Sequence, residues 1–86
     1  MALKFSPFGG PKIINIVGSG TSSMMYIVPK GKTFTGHIVL STSSGININD
    51  STLNAGTVAQ VIPVNLRSGT IVKNSSGNTL LTGVEE

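Results

Sequence analysis

The chain has 86 residues, a formal net charge of +3 and no cysteine. That length holds one hydrophobic core, and the missing thiols exclude a disulfide framework and a thiolate metal site. Charged residues make up 10% of the sequence, well under the roughly 25% of an ordinary soluble domain, so Ser, Thr, Asn and Gly carry the polar surface.

Residues 1–11, MALKFSPFGGP, read as an extended N-terminal arm. Pro7 and Pro11 oppose a helix and Gly9-Gly10 is a joint. Phe5 and Phe8 sit where no regular element is expected. They either plug the domain's own core or anchor the arm on a neighbour.

From Lys12 the pattern is that of short strands. KIINIV (12–17) is the first and MMYIV (24–28) the second, separated by a Gly/Ser/Thr loop. Val28-Pro29-Lys30-Gly31 reads as a tight turn. TFTGHIVL (33–40) follows with clean period two: Phe34, Gly36, Ile38 and Leu40 share one face, and Thr33, Thr35, His37 and Val39 the other. Phe34, Ile38 and Leu40 are therefore candidates for either the core or an oligomer face.

GININ (45–49) alternates Ile with Asn as a half-buried strand, and residues 50–56 read as a connection. TVAQVIPVNL (57–66) is a further strand with Val58, Ile62, Val64 and Leu66 on one side. Pro63 inside it marks an edge strand or a bulge, because proline cannot donate to a ladder. Residues 70–73 form a short strand, Asn74–Gly77 a hairpin loop and 78–82 the return, leaving 83–86 as a frayed or contact-making tail. Six to eight short strands without a 3.6-residue apolar period predict an all-β fold. The expected form is a small antiparallel β-sandwich, jelly-roll-like, or a partly closed barrel over 12–86, with the arm over 1–11.

The catalytic and cofactor motifs fail on spacing. Gly31-Lys32-Thr33 ends like a phosphate loop, but the position five residues before Gly31 is Tyr26 and a strand follows instead of a helix. Gly18 and Gly20 begin a dinucleotide pattern that Ser23 does not complete. His37 is the one histidine, and Asp50, Glu85 and Glu86 are the acids, too few for a metal set and too scattered for acid–base catalysis. No catalytic residue, metal or cofactor is expected, and the chain reads as a non-enzyme. Six basic residues with sparse aromatics make a nucleic-acid-binding barrel the weaker alternative. No apolar run approaches membrane-spanning length. MALKFSPFGG lacks the apolar core of an export signal, so synthesis in a cytosol is expected. Lys4, Lys12, Lys30 and Lys32 precede any acid, so the N-terminal third suits an acidic surface.

A charge-poor surface loses little on desolvation, and charged residues are depleted where proteins meet. Such a composition predicts self-association. Tyr26-Ile-Val-Pro-Lys-Gly-Lys-Thr-Phe-Thr-Gly-His-Ile38 resembles a segment of small virion proteins of tailed bacteriophages, in which a strand ending in Val-Pro enters a Gly-Lys turn and a strand with a central glycine follows. The resemblance covers about a dozen residues; Gly56-Thr57 and the closing LTGVEE fit it in style. It implies a structural component of head-decoration or cement type, often a homotrimer of β-sandwiches seated on the major capsid protein. A tail, baseplate or fibre-attachment adaptor is the alternative. In that reading the arm residues Lys4, Phe5, Phe8 and Lys12 contact the shell, and the chain resides in the virion.

Overall fold

The computed structural model describes residues 11–86. The expected arm, with Lys4, Phe5 and Phe8, lies outside the described residues, apart from Pro11. Eight strands follow in chain order: β1 (Lys12–Gly18), β2 (Ser23–Ile27), β3 (Phe34–Leu40), β4 (Gly45–Ile48), β5 (Ser51–Asn54), β6 (Gln60–Leu66), β7 (Ile71–Ser76) and β8 (Thr79–Glu85). They form two four-stranded sheets, ordered β1-β8-β3-β6 and β2-β7-β4-β5.

The pairing has a simple logic. β1 pairs β8, β2 pairs β7, β3 pairs β6 and β4 pairs β5, all antiparallel. The chain is thus one long antiparallel ribbon folded back at the β4–β5 turn. Wrapping that ribbon adds the pairs β3·β8 and β4·β7, which join its layers into two sheets. This is a jelly roll. The sequence expectation of an all-β sandwich holds, and the partly closed barrel is the form not adopted.

The core lies between the sheets. Phe34, Ile38 and Leu40 are fully buried, together with Ile46, Val72 and Leu81. The open question about the β3 face is thereby answered: Phe34, Ile38 and Leu40 are core, not an oligomer surface. β3 is paired on both edges, by β6 and β8, so its apolar face has the second sheet as its cover. Pro63 lies on β6, which is indeed an outer strand of its sheet.

Gly36 stands directly opposite Gly83 on β8. A Cβ on Gly36 would run into the Thr82 carbonyl oxygen and lie 2.6 Å from the Gly83 Cα. A Cβ on Gly83 would meet the Phe34 ring at 2.7 Å. The two backbones therefore approach where side chains would hold them apart, and the Phe34 ring fills the space over the pair.

Several expectations are corrected. Residues 50–56 contain a strand, β5, because Asn49 (φ 47°) and Asp50 (φ 68°) form a two-residue hairpin turn with both central residues in the left-handed region. Asn and Asp are the non-glycine residues that tolerate it. β6 starts at Gln60, so Val58 lies in a loop and is 66% exposed. β7 extends to Ser76, and the Gly77-Asn78 turn crosses between sheets instead of closing a hairpin. The first turn is closed by the Lys32 amide donating to the Pro29 carbonyl at 3.0 Å, one residue later than the sequence suggests. That shift puts Gly31 (φ 81°) at the third position, where a type II turn requires positive φ. The supposed tail is the end of β8, which lies between β1 and β3, and Glu86 and Thr33 exchange backbone hydrogen bonds of 2.8 and 3.4 Å.

Candidate assembly surface

The jelly roll sorts its connections onto two ends, and the sequence sorts its charges the same way. At one end, residues 19–22, 41–44, 55–59 and 77–78 connect the strands without a single Asp, Glu, Lys or Arg. At the other end lie Lys30, Lys32 and Arg67 in two turns, Asp50 in the β4–β5 turn, Lys12 opening β1, and Glu85 and Glu86 closing the chain. Among the described residues the one charge away from this end is Lys73, midway along β7.

The uncharged end is held by a buried amide. Asn74 is fully buried, and its Nδ2 donates to the Gly20 carbonyl at 2.6 Å and the Gly77 carbonyl at 2.9 Å. Its Oδ1 accepts from the Thr79 hydroxyl at 2.6 Å. Ser41 Oγ donates to the Asn78 carbonyl at 3.0 Å, and the Ser43 amide to the Gly56 carbonyl at 2.7 Å. These bonds tie all four connections of this end to one another. No buried side-chain polar atom lacks a partner among the described residues.

At the charged end, Tyr26 Oη donates to Glu85 Oε1 at 2.5 Å, with the Tyr26 ring edge-on to Phe34 at 5.6 Å. Burial, and then the Glu85 carboxylate that accepts its hydrogen bond, push the Tyr26 phenol well above its ordinary value. The two turns there are clasped: Gly31 N donates to Ser68 Oγ at 3.0 Å, and Gly69 N to the Val28 carbonyl at 2.9 Å. Lys12, which opens β1 and is the register partner of Glu85, is at this end.

The outer face of the β1-β8-β3-β6 sheet presents no Asp, Glu, Lys or Arg. Register places three rows across its four strands: Ile13–Val84–Thr35–Asn65, Asn15–Thr82–His37–Pro63 and Val17–Leu80–Val39–Val61. The third row is apolar throughout and borders the uncharged end. Ile13, Val17 and Val61 are 77%, 75% and 64% exposed. Thr82 donates to Asn15 Oδ1 in the middle row. The outer face of the other sheet is more polar, with Met24, Lys73, Asn47 and Thr52 in one row. A polar recess of about 220 Å³ opens there, lined by Ser22, Asn47, Asp50, Lys73, Asn74 and Ser75.

His37 faces outward between Thr82 and Pro63. Among the described residues no three His, Cys, Asp or Glu side chains gather as a ligand set, and no helix is long and apolar enough to cross a membrane. Lys32 and Thr33 precede β3, and Pro29 lies in the turn before them, so no row of amides faces a phosphate. Of the predicted partner-binding residues, Lys12 is the one described; it is exposed and opens β1, where the first strand was expected to begin. Sequence reasoning missed the outer apolar row. Val39 was visible on the outward side of its strand, but the neighbours that extend it are set by register. Comparisons with family models, with characterised proteins and with solved structures give no match.

Proposed function

We propose that the protein is a non-enzymatic structural subunit that coats a larger protein assembly, and that the assembly is a phage capsid to which it acts as a decoration or cement protein. The observation that carries this reading is the segregation of charge. Among the described residues, one whole sheet face and the adjoining end carry no Asp, Glu, Lys or Arg, so covering them costs little desolvation and removes apolar surface from water. Four strands about 4.8 Å apart and seven residues of about 3.3 Å each give a face of roughly 450 Å². The face combines an apolar row, Val17–Leu80–Val39–Val61, and the neighbouring Ile13 and Val84 with a polar middle row, Asn15–Thr82–His37–Pro63. Its area is about half of the roughly 800 Å² per partner in a standard interface, so further contacts from the uncharged loops or the N-terminal arm complete the seat.

In this reading the outer row Val17, Leu80, Val39 and Val61 replaces Phe34, Ile38 and Leu40 as the oligomer or shell contact. Lys4, Phe5 and Phe8 of the arm, with Lys12 at the start of β1, remain the proposed contacts to the major capsid protein. The described chain begins at the end that carries Lys12, Lys30, Lys32 and Arg67 together with Asp50, Glu85 and Glu86. The phage assignment rests on the resemblance of residues 26–38, and the trimeric state likewise. The jelly roll is also the architecture of many viral capsid domains, which is an analogy of fold. Cementing requires no reactive group: each subunit adds contact area that must be broken before the shell opens, and many copies multiply a modest contact.

The test is the protein composition of purified virions. The chain should be found at high copy number in the head fraction, and heads lacking it should open at lower temperature. Its absence from particles would overturn the virion reading, and its presence in isolated tails would favour a tail or fibre adaptor.

A further inference from the structure

Among the described residues the two sheets leave four strand edges without a partner strand, and three of them are blunted. β6 carries Pro63, which offers no N–H. β2 has an irregular register between Met24 and Tyr26. β5 is four residues long. β1 carries none of these devices: it runs seven residues without proline or bulge, in unbroken register with β8 on its other edge. Proteins that stay monomeric protect such an edge, because its unpaired N–H and C=O groups template another strand. Lys12 is its one charge, at the first position.

We infer that β1 pairs with β1 of a second copy, antiparallel, about a two-fold axis at Asn15. The sequence of the strand is the ground for this occupant. Lys-Ile-Ile-Asn-Ile-Val-Gly has two β-branched residues on each side of Asn15, so it presents the same pattern in both directions. In the register centred on Asn15, Ile13 lies opposite Val17 of the partner copy, and Ile14 opposite Ile16. Ile13 and Val17 are the two most exposed large apolar side chains of the described residues, at 77% and 75%. Both lie on the outer face, where directly opposed β-branched side chains stabilise a pair. Lys12 meets Gly18, so no like charges oppose. The two Asn15 side chains stand together at the axis; each Oδ1 already accepts from Thr82, and each Nδ2 retains protons to donate.

The pairing joins two sheets into one of eight strands. It carries the apolar row Val61–Val39–Leu80–Val17 on to Ile13 and Val84 of the second copy, doubling the outer face. The contact is isologous and closes as a dimer. An edge alone covers less than a standard interface, so monomer and dimer exchange with concentration. This arrangement depends on the strand alone and not on the virion reading, and it differs from the trimer that the phage resemblance implies.

The test is sedimentation equilibrium of the full chain over a concentration series, with three variants checked by far-UV circular dichroism. The wild type should titrate from monomer to dimer. Asn15→Lys sets like charges opposite at the axis and should weaken the dimer at least about fivefold. The chain has no cysteine, so Asn15→Cys should form a disulfide dimer on oxidation, whereas Thr52→Cys on the β5 edge should remain monomeric. A monomer at every concentration, a trimer, or equal cross-linking of the two cysteine variants would overturn the inference. A trimer would leave the proposed coat function standing.

Discussion

Replacing Asn74 by alanine tests whether one buried amide organises the uncharged end. The side chain has no exposed surface and makes three hydrogen bonds, to Gly20, Gly77 and Thr79. Each bond contributes about 1 kcal/mol net, so the loss is about 3 kcal/mol. Set against a total stability of roughly 5–10 kcal/mol for a domain of this size, that is a large share. The Thr79 hydroxyl has a second partner, Met25 Sδ at 3.4 Å, so the two carbonyls suffer most. Asn74→Asp sharpens the test. It keeps the acceptor for Thr79 but turns an oxygen on both carbonyls and buries a charge, so it should destabilise more than alanine. Urea unfolding followed by circular dichroism reads both variants. The alanine midpoint should fall at unchanged slope, and Tm should drop by roughly 12–24 °C. A loss under about 1 kcal/mol for alanine, or an aspartate variant as stable as the wild type, would refute the role given to Asn74.

Gly83→Ala should cost about 1–3 kcal/mol by thermal unfolding, because the added Cβ meets the Thr35 carbonyl and the Phe34 ring; an unchanged Tm would show that the two backbones can part freely. The Tyr26 phenol titrates higher in the folded chain than its ordinary value of 10.0. Its contribution to stability is therefore complete below pH 10 and is lost as the pH rises beyond it, since the folded state then holds more protons than the unfolded one. Stability of the wild type should decline above pH 10 more steeply than that of Tyr26→Phe; parallel curves from denaturant titrations at stepped pH would contradict this. Val17→Lys with Val61→Lys should leave the unfolding free energy within about 0.5 kcal/mol of the wild type, since both side chains are exposed. The same pair should abolish particle binding in a co-sedimentation assay, and retained binding would remove the outer row from the interface.

The strands were legible where side chains alternate. In β3 the period-two pattern separates Phe34, Ile38 and Leu40 from Thr35, His37 and Val39, and burial follows it. Pro63 likewise announces an outer strand, through its missing donor. Elements built on turn chemistry were harder to see. Ser51–Asn54 has no buried side chain, so only the Asn49-Asp50 turn marks the hairpin that contains it. The acids Glu85 and Glu86 suggest a solvated tail, yet Glu85 closes a central strand because Tyr26 supplies a donor from the other sheet. The candidate surface was the least visible. Val17, Val39, Val61 and Leu80 come from four separate segments, and register alone brings them into one row.

The central claim is that the outer face of the β1-β8-β3-β6 sheet is covered when the protein is in place. Hydroxyl-radical footprinting of the free chain and of the particle-bound chain measures that directly. Ile13, Val17 and Val61 should lose reactivity on assembly, while Met24, exposed on the opposite sheet, keeps it. Equal reactivity of the three aliphatic side chains in both states, with Met24 protected instead, would contradict the account.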